Sequence, residues 1–135
     1  MKPFRQVDAA VAPDGSALTL VERDGEWVVR VDNRVLMTSR THGSEERLAT
    51  HALAGLHAVR QVLVGGLGLG FTLREVLNRV TPDTKVTVSE LVPAVVQWHR
   101  AHLGALTQQA LEDPRVQVSE GSVLTLLQRS RAAFD

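Results

Sequence analysis

One segment constrains the fold of this chain more than any other: Gln61 to Leu77, with the sequence QVLVGGLGLGFTLREVL. It passes from a short apolar run, through a glycine-dense turn, into an amphipathic helix predicted over about residues 71–80. Glycine lets a backbone adopt positive φ and lets a ligand approach closely. The helix start adds free N–H groups and a partial positive charge. This order predicts a site for a nucleotide-like ligand around the glycines of the turn, which are Gly65, Gly66, Gly68 and Gly70.

A carboxylate follows the next predicted strand at an informative distance. Glu90 comes directly after residues 86–89 and lies twenty residues beyond Gly70. An acid at about this spacing reaches a ribose hydroxyl in dinucleotide-binding folds. Glycines in a strand-to-helix turn can also serve packing alone, and a carboxylate at a strand end can simply be solvated. The two features together favour a nucleoside site.

Composition excludes several classes of function. The chain has 135 residues, which is one domain by length, and 15 basic and 15 acidic side chains give zero formal net charge. That balance argues against a nucleic-acid partner. The absence of cysteine excludes disulfides, thiolate metal sites and a cysteine nucleophile. No segment resembles a signal peptide or a membrane span, which predicts a cytoplasmic protein without a membrane partner.

The histidines do not suggest a metal site. His99 and His102 lie one helical turn apart, but no acid is placed as an obvious third ligand. We therefore predict that no metal is bound and that these side chains are at the surface or partly buried.

The first part of the chain has a strand pattern. Residues 1–15 are expected to form a loose lead-in. Strand-like runs follow at 17–22, 26–31 and 35–38, with an Asp-Gly hairpin signal at residues 24–25. The pattern predicts a small antiparallel element of about three strands within an N-terminal region of residues 1–42.

The rest of the chain, residues 43–135, alternates between helix and strand. Ser44 is expected to cap a helix that runs to about His57. Strands at 61–64, 85–89 and 115–118 then alternate with helices at about 71–80, 93–103 and 122–131. This βαβαβα order predicts an α/β fold with a parallel sheet, the first half of a doubly wound domain.

A doubly wound sheet places its fourth strand beside the first. No segment for that strand follows residue 131, so we expect a partial domain, truncated before the fourth strand. The alternative is a complete small protein whose open sheet edge is covered by the N-terminal strands or by another subunit.

Five motifs in this order resemble the spermidine synthase family, the polyamine aminopropyltransferases. They are GGLGLG at 65–70, TLREVL at 72–77, SELVP at 89–93, LEDPRVQV at 111–118 and GS at 121–122. The resemblance covers roughly residues 17–135, and residues 35–51 are similar to a short bacterial branch of the family. It implies the fold of S-adenosylmethionine-dependent methyltransferases, with a small β-domain before it.

The resemblance also implies roles for single residues around a nucleoside. The glycine loop would pass the methionine-derived part of the ligand, and Gly68 stands where the family usually has an Asp. Glu90 would bind the ribose hydroxyls, and Leu91 would flank the adenine. Gly121 and Ser122 fall where the family usually has Gly-Asp. Ser122 could still hydrogen-bond there, but a helix N-cap is the favoured role for it.

Weaker candidates for the acceptor side lie just before the first helix and in its first turn. His42 stands beside Gly43, in a loop that borders the substrate in the family. Glu45 and Glu46 could bind a cationic amine such as putrescine. The simpler interpretation is a loop histidine and two helix-start acids, which suit the helix dipole without a ligand.

The implied activity is transfer of an aminopropyl group to a small amine. The co-substrate would be decarboxylated S-adenosylmethionine or S-adenosylmethionine itself, and the family's assemblies suggest a homodimer. The family's catalytic acid follows the fourth strand, so none of the 135 residues is expected to be catalytic. Two other functions stay open: a class I S-adenosylmethionine-dependent methyltransferase, and a non-catalytic module for nucleoside binding or dimerisation.

Overall fold

A computed structural model describes residues 2–135 of the chain. The chain forms two compact units, one that ends at His42 and one that runs from Gly43 to Asp135. The predicted α/β class is confirmed, because the first unit holds an antiparallel sheet and the second a parallel one. Within residues 2–135 no helix combines the length and the apolar character that a membrane span requires.

The first unit is a four-stranded antiparallel sheet in which every strand pairs with its neighbour in sequence. Asp24 and Gly25 both have positive φ, at 48° and 84°, which confirms the predicted hairpin. Leu18 and Leu20 alternate along the second strand, and both are buried. The strands are β1 (Arg5–Val11), β2 (Ala17–Arg23), β3 (Glu26–Val31) and β4 (Arg34–Thr38).

The expectation of a loose lead-in is wrong, because β1 pairs with β2 along its length and brings the count to four strands. β1 lies at the edge of the sheet, and most of its side chains are exposed. An edge strand with little buried surface needs no alternation of apolar and polar residues. The sequence RQVDAAV therefore carried little strand signal, although its backbone completes the sheet.

The second unit contains a three-stranded parallel sheet with the central strand between two edges, in the order β5-β6-β7. On β6, Val86 and Val88 are fully buried. The main elements are α1 (Gly43–Leu53), β5 (Gln61–Gly65), α2 (Phe71–Arg79), β6 (Lys85–Glu90), α3 (Pro93–Trp98), β7 (Val116–Glu120) and α4 (Val123–Arg129). Helices α2 and α4 and all three strands agree with the predicted positions to within two residues.

Two predicted helices differ in detail. Helix α1 ends at Leu53 and not at His57, because the chain turns at Gly55, whose φ is +73°. Ser44 is not its cap: it lies inside the first turn, and its hydroxyl donates to the Glu45 carboxylate. The single helix expected over 93–103 is α-helical only to Trp98. It continues as a π-helical turn over His99–Leu103, followed by 3₁₀ turns at Gly104–Thr107 and Ala110–Glu112.

The D-P-R-V motif joins the start of β7 to the end of α2. The Arg115 guanidinium donates to the Leu77 and Val80 carbonyl oxygens, at 3.0 and 3.2 Å. It also pairs with Asp113 at 2.8 Å. Hydrogen bonding from Arg115 lowers the pKa of Asp113 to about 2. The motif therefore satisfies carbonyl groups at the end of α2, the helix whose other end follows the glycine loop.

Candidate functional site

The parallel sheet brings the predicted nucleoside-binding segments together at the carboxyl ends of its strands. Parallel pairing places Gly65 of β5 opposite Ser89 of β6, and Glu90 opposite Glu120 of β7. The backbone N–H of Gly121 donates to the Glu90 carbonyl oxygen at 2.8 Å. Segments that are more than twenty residues apart in sequence thus meet where the strands end, as is usual for ligand sites in open α/β sheets.

The glycine loop connects β5 to α2 in a conformation that other residues would adopt at a cost. Gly66, Gly68 and Gly70 have φ of +96°, +52° and +87°. At Gly70 space is also short, because a Cβ atom would lie 2.8 Å from Cε1 of His99. Gly70 is the N-cap of α2 and has no side-chain cap. A helix start of this kind can present backbone N–H groups to a ligand.

Glu90 joins this loop to the next helix. Its Oε1 accepts the backbone N–H of Leu67, and its Oε2 accepts that of Val92, both at 2.9 Å. The residue is only 8% exposed. A carboxylate oxygen has two acceptor positions, so each oxygen keeps capacity for one more donor. Glu90 is therefore both part of the loop's support and an oriented acceptor beside it.

His99 is a site residue that sequence reasoning missed. The prediction of a surface or partly buried side chain is wrong, since His99 is 4% exposed and its Nε2 lies 2.6 Å from the Gly68 carbonyl oxygen. Burial lowers the pKa of His99, against the opposing effects of the Gly68 hydrogen bond and the Glu90 charge. The sequence did contain a signal of this burial: His99 lies three and four residues from Val96 and Val95, on the apolar side of the helix.

The residues predicted to surround the adenine lie next to these groups in sequence. Leu91 follows Glu90 and is 49% exposed. Gly121 has a φ of +142°. Ser122 occupies the N-cap position of α4, as favoured from sequence, but its side chain makes no capping hydrogen bond.

The residues predicted to contact the acceptor amine lie in different units of the protein. Glu45 and Glu46 lie in the first turn of α1, and the Glu45 carbonyl oxygen accepts the Thr72 hydroxyl at 3.0 Å. That bond places the start of α1 beside the start of α2, close to the glycine loop. His42 is the last residue of the first unit. Among residues 2–135, no group of three or more potential metal ligands is clustered.

A cavity of about 380 Å³ adjoins the loop within the second unit. Gly65, Gly66 and Thr72 line one part of it, and apolar residues of α1 and β5 line much of the rest. Beside it, Asp135 hydrogen-bonds to the start of β5: its N–H donates to Gln61, and its carboxylate accepts the N–H groups of Arg60 and Gln61. Gly65 and Gly66, the first two glycines of the loop, thus face a cavity beside β5.

Comparisons with known proteins identify the family of this chain. Residues 41–135 match the family described as the spermine/spermidine synthase domain. Polyamine aminopropyltransferase 2 of Ralstonia nicotianae is 36% identical over 92 residues, which are 67% of this chain and 18% of that protein. Polyamine aminopropyltransferase 1 of the same organism gives the same identity and covers 17% of that protein. The chain therefore spans less than a fifth of the length of these two relatives.

Solved structures resemble the chain in fold. A spermidine synthase from Thermotoga maritima gives a TM-score of 0.77 at 24% identity, over 97% of this chain and 46% of that one. A spermidine synthase in complex with the transition state analogue AdoDATO gives the same values. A putative O-methyltransferase from Klebsiella pneumoniae gives 0.53 at 21% identity, over 70% and 42%. The methyltransferase-like fold is confirmed, and with the match over residues 41–135 the chain belongs to the spermine/spermidine synthase family.

Proposed function

We propose that the second unit binds the adenosine part of decarboxylated S-adenosylmethionine or a related adenosyl-sulfonium. In the whole protein, the bound molecule would donate an aminopropyl group to a small amine. The observation that carries this proposal is the buried Glu90 carboxylate, held beside the glycine loop by two backbone N–H groups. The names of the two relatives, both polyamine aminopropyltransferases, support the class of reaction.

Glu90 suits a ribose for a geometric reason. Its two oxygens are already oriented by Leu67 and Val92, and each has one acceptor position left. Two neighbouring hydroxyls of a ribose could each donate to one oxygen, in hydrogen bonds strengthened by the negative charge. Because the carboxylate is held in place before binding, little side-chain freedom is lost when the ligand arrives.

We also propose contacts for the base and for the acceptor amine. Leu91, Gly121 and Ser122 are the proposed surroundings of the base, since they follow the ends of β6 and β7 directly. Glu45 and Glu46 are the proposed contacts of the cationic amine. The bond from Thr72 to the Glu45 carbonyl supports this, because it holds the start of α1 near the loop.

The proposed reaction is a single displacement. The amine nitrogen forms a bond to the propyl carbon attached to the sulfonium, and the carbon–sulfur bond breaks with its electron pair going to sulfur. Methylthioadenosine leaves, and a base takes the amine proton. The residues of this chain would hold the nucleoside so that carbon and amine are in line. We propose no catalytic base among them, and we propose that the whole protein is a homodimer, which analytical ultracentrifugation tests.

Calorimetric titration with methylthioadenosine tests the proposal. Glu90→Ala removes the two charged acceptors, so we expect binding about ten- to a hundredfold weaker than in the wild type. Glu120→Ala is the matched control, because Glu120 pairs in register with Glu90 but is exposed at the end of the neighbouring strand. Equal affinities for wild type and Glu90→Ala, or no binding by the folded wild type, would refute the proposed site.

A second titration separates direct contact from loop support. The ligand is methylthioadenosine lacking one ribose hydroxyl, measured against wild type and Glu90→Ala. If Glu90 binds that hydroxyl, its removal weakens wild-type binding and has little further effect on the variant. If Glu90 only supports the loop, the two changes are additive. Titration with S-adenosylhomocysteine, the product of a methyltransferase, shows whether the site favours that reaction class instead.

A further inference from the structure

The buried face of the glycine loop is held by a side chain for which the proposed reaction has no role. His99 begins the π-helical turn His99–Leu103, and its Nε2 lies 2.6 Å from the Gly68 carbonyl oxygen. π-Helical turns are rare and often occur at functional sites. The turn begins at the residue that meets the loop, so the irregularity and the contact coincide.

The contact defines the protonation of the ring. A carbonyl oxygen only accepts hydrogen bonds, so Nε2 must carry the proton. In the neutral ring Nδ1 is then the unprotonated nitrogen. Burial lowers the pKa of His99, although the Gly68 bond and the Glu90 charge act in the opposite direction. The neutral Nε2–H tautomer is therefore the form that this structure favours near neutral pH.

The ring and the loop also fit sterically. A Cβ atom on Gly70 would lie 2.8 Å from Cε1 of His99 and 3.1 Å from a methyl carbon of Thr107. Gly70 has a φ of +87°, and its N–H donates to the Leu67 carbonyl oxygen at 2.8 Å. The loop backbone thus lies directly against the imidazole, with no side chain of its own between them.

Two neighbouring residues of the loop are held by side chains that both follow the loop in sequence. Leu67 donates its N–H to Glu90, and Gly68 accepts from His99. The peptide between Gly68 and Leu69 is planar and trans, so its C=O and N–H point in opposite directions. A bond from His99 to the C=O therefore also fixes the direction of the Leu69 N–H, away from His99.

We propose that His99 is a positioning residue of the nucleoside site, which orients the Gly68–Leu69 peptide and keeps the glycine loop in the shape that the ligand contacts. This inference rests on the proposed function, because it assigns His99 a use in nucleoside binding. His99 does not touch the ligand in this proposal. Its effect reaches the site through the loop backbone.

Three variants of the full chain test the proposal by titration with methylthioadenosine. His99→Phe keeps a ring but leaves the Gly68 carbonyl oxygen without its donor, and we expect about five- to fiftyfold weaker binding. His99→Gln restores an N–H at a similar distance from the backbone, and we expect affinity within about threefold of wild type. His102→Phe is the control, since His102 lies in the same π-helical turn and is exposed.

The outcomes separate this inference from the proposed function. No binding by the folded wild type refutes both. Wild-type binding that His99→Phe leaves unchanged refutes the role of His99 alone. Weakening by His99→Phe and recovery in His99→Gln support it, because loss of packing alone would not be reversed by a non-aromatic amide.

A measurement on the ligand-free wild type decides the case in which His99→Phe fails to fold. Nuclear magnetic resonance of the imidazole nitrogens distinguishes the two neutral tautomers. We expect the Nε2–H form, with slow exchange of that proton. An Nδ1–H tautomer would overturn the proposal, because an unprotonated Nε2 cannot donate to the Gly68 carbonyl oxygen.

Discussion

The two units of this protein reach their structures by different routes. In the first unit each strand pairs with the next one in sequence, through turns such as Asp24-Gly25 with positive φ. In the second, paired residues such as Gly65 and Ser89 are separated by a loop and a helix. Local turn chemistry accounts for the first unit, whereas the candidate site in the second depends on contacts between distant segments.

The same contrast holds for single residues. Gly25 and Gly70 have nearly equal φ, +84° and +87°, but a Cβ on Gly25 would meet nothing within 4 Å. A Cβ on Gly70 would meet His99 and Thr107. Gly25 is therefore required by backbone conformation alone. Gly70 is required by conformation and by packing around the candidate site.

The largest expected effect comes from substituting these two glycines. Gly25→Ala adds only left-handed strain, and we expect a loss of about 1–2 kcal/mol in the free energy of unfolding. Gly70→Ala adds overpacking as well, and we expect a loss of about 2–5 kcal/mol. Urea unfolding of both variants measures the difference. Equal losses would mean that the glycine loop accommodates the added methyl group without cost. The proposed difference between Gly25 and Gly70 would then be wrong.

A smaller effect is expected from ion pairs. In the second unit Asp113 and Arg115 pair at 2.8 Å with side chains 16% and 19% exposed, and Arg115 also binds the end of α2. In the first unit the Lys2–Asp24 pair is 77% and 64% exposed. We expect Asp113→Asn to lower the free energy of unfolding by about 1–2 kcal/mol, and Lys2→Ala by less than about 0.5 kcal/mol.

The Asp113 pair also predicts a dependence on acid. Its pKa falls from an ordinary value of 3.8 to about 2, chiefly through the Arg115 hydrogen bond. A lowered carboxyl pKa contributes stability above about pH 4, which is lost as the pH falls towards about 2. The difference in unfolding free energy between wild type and Asp113→Asn should shrink over this range. A difference that stays constant with pH would contradict the assignment.

The smallest expected effect is the contribution of His99 to pH dependence. Burial lowers its pKa below the ordinary value of 6.5, so the unfolded chain binds a proton more readily than the folded one. The stability associated with neutral His99 is present above about pH 6.5 and is lost as the pH falls through its folded pKa. Unfolding of wild type and His99→Gln across this range should show a shallower slope in the variant. The four other histidines are common to both proteins and cancel in the comparison.

Much of the fold was predictable because its signals are local. The Asp24-Gly25 hairpin, the alternation of strand and helix, and Pro93 at the start of α3 each depend on a few adjacent residues. Two wrong predictions differ in origin. β1 is held by hydrogen bonds to β2 rather than by a buried face, so no local pattern indicates it. Helix α1 ends early because of the turn at Gly55, a local signal that the helix prediction did not use.

The sequence alone determined the class of fold, the glycine loop and the acid at the end of β6, because spacing and residue type specify those features. Only the tertiary structure decided how the loop is held. Glu90 reaches back to Leu67, and His99 crosses 31 residues of sequence to bind Gly68. No periodicity encodes such a bond. It exists because the parallel sheet and the helix after β6 bring a buried donor to a backbone carbonyl that would otherwise lack one.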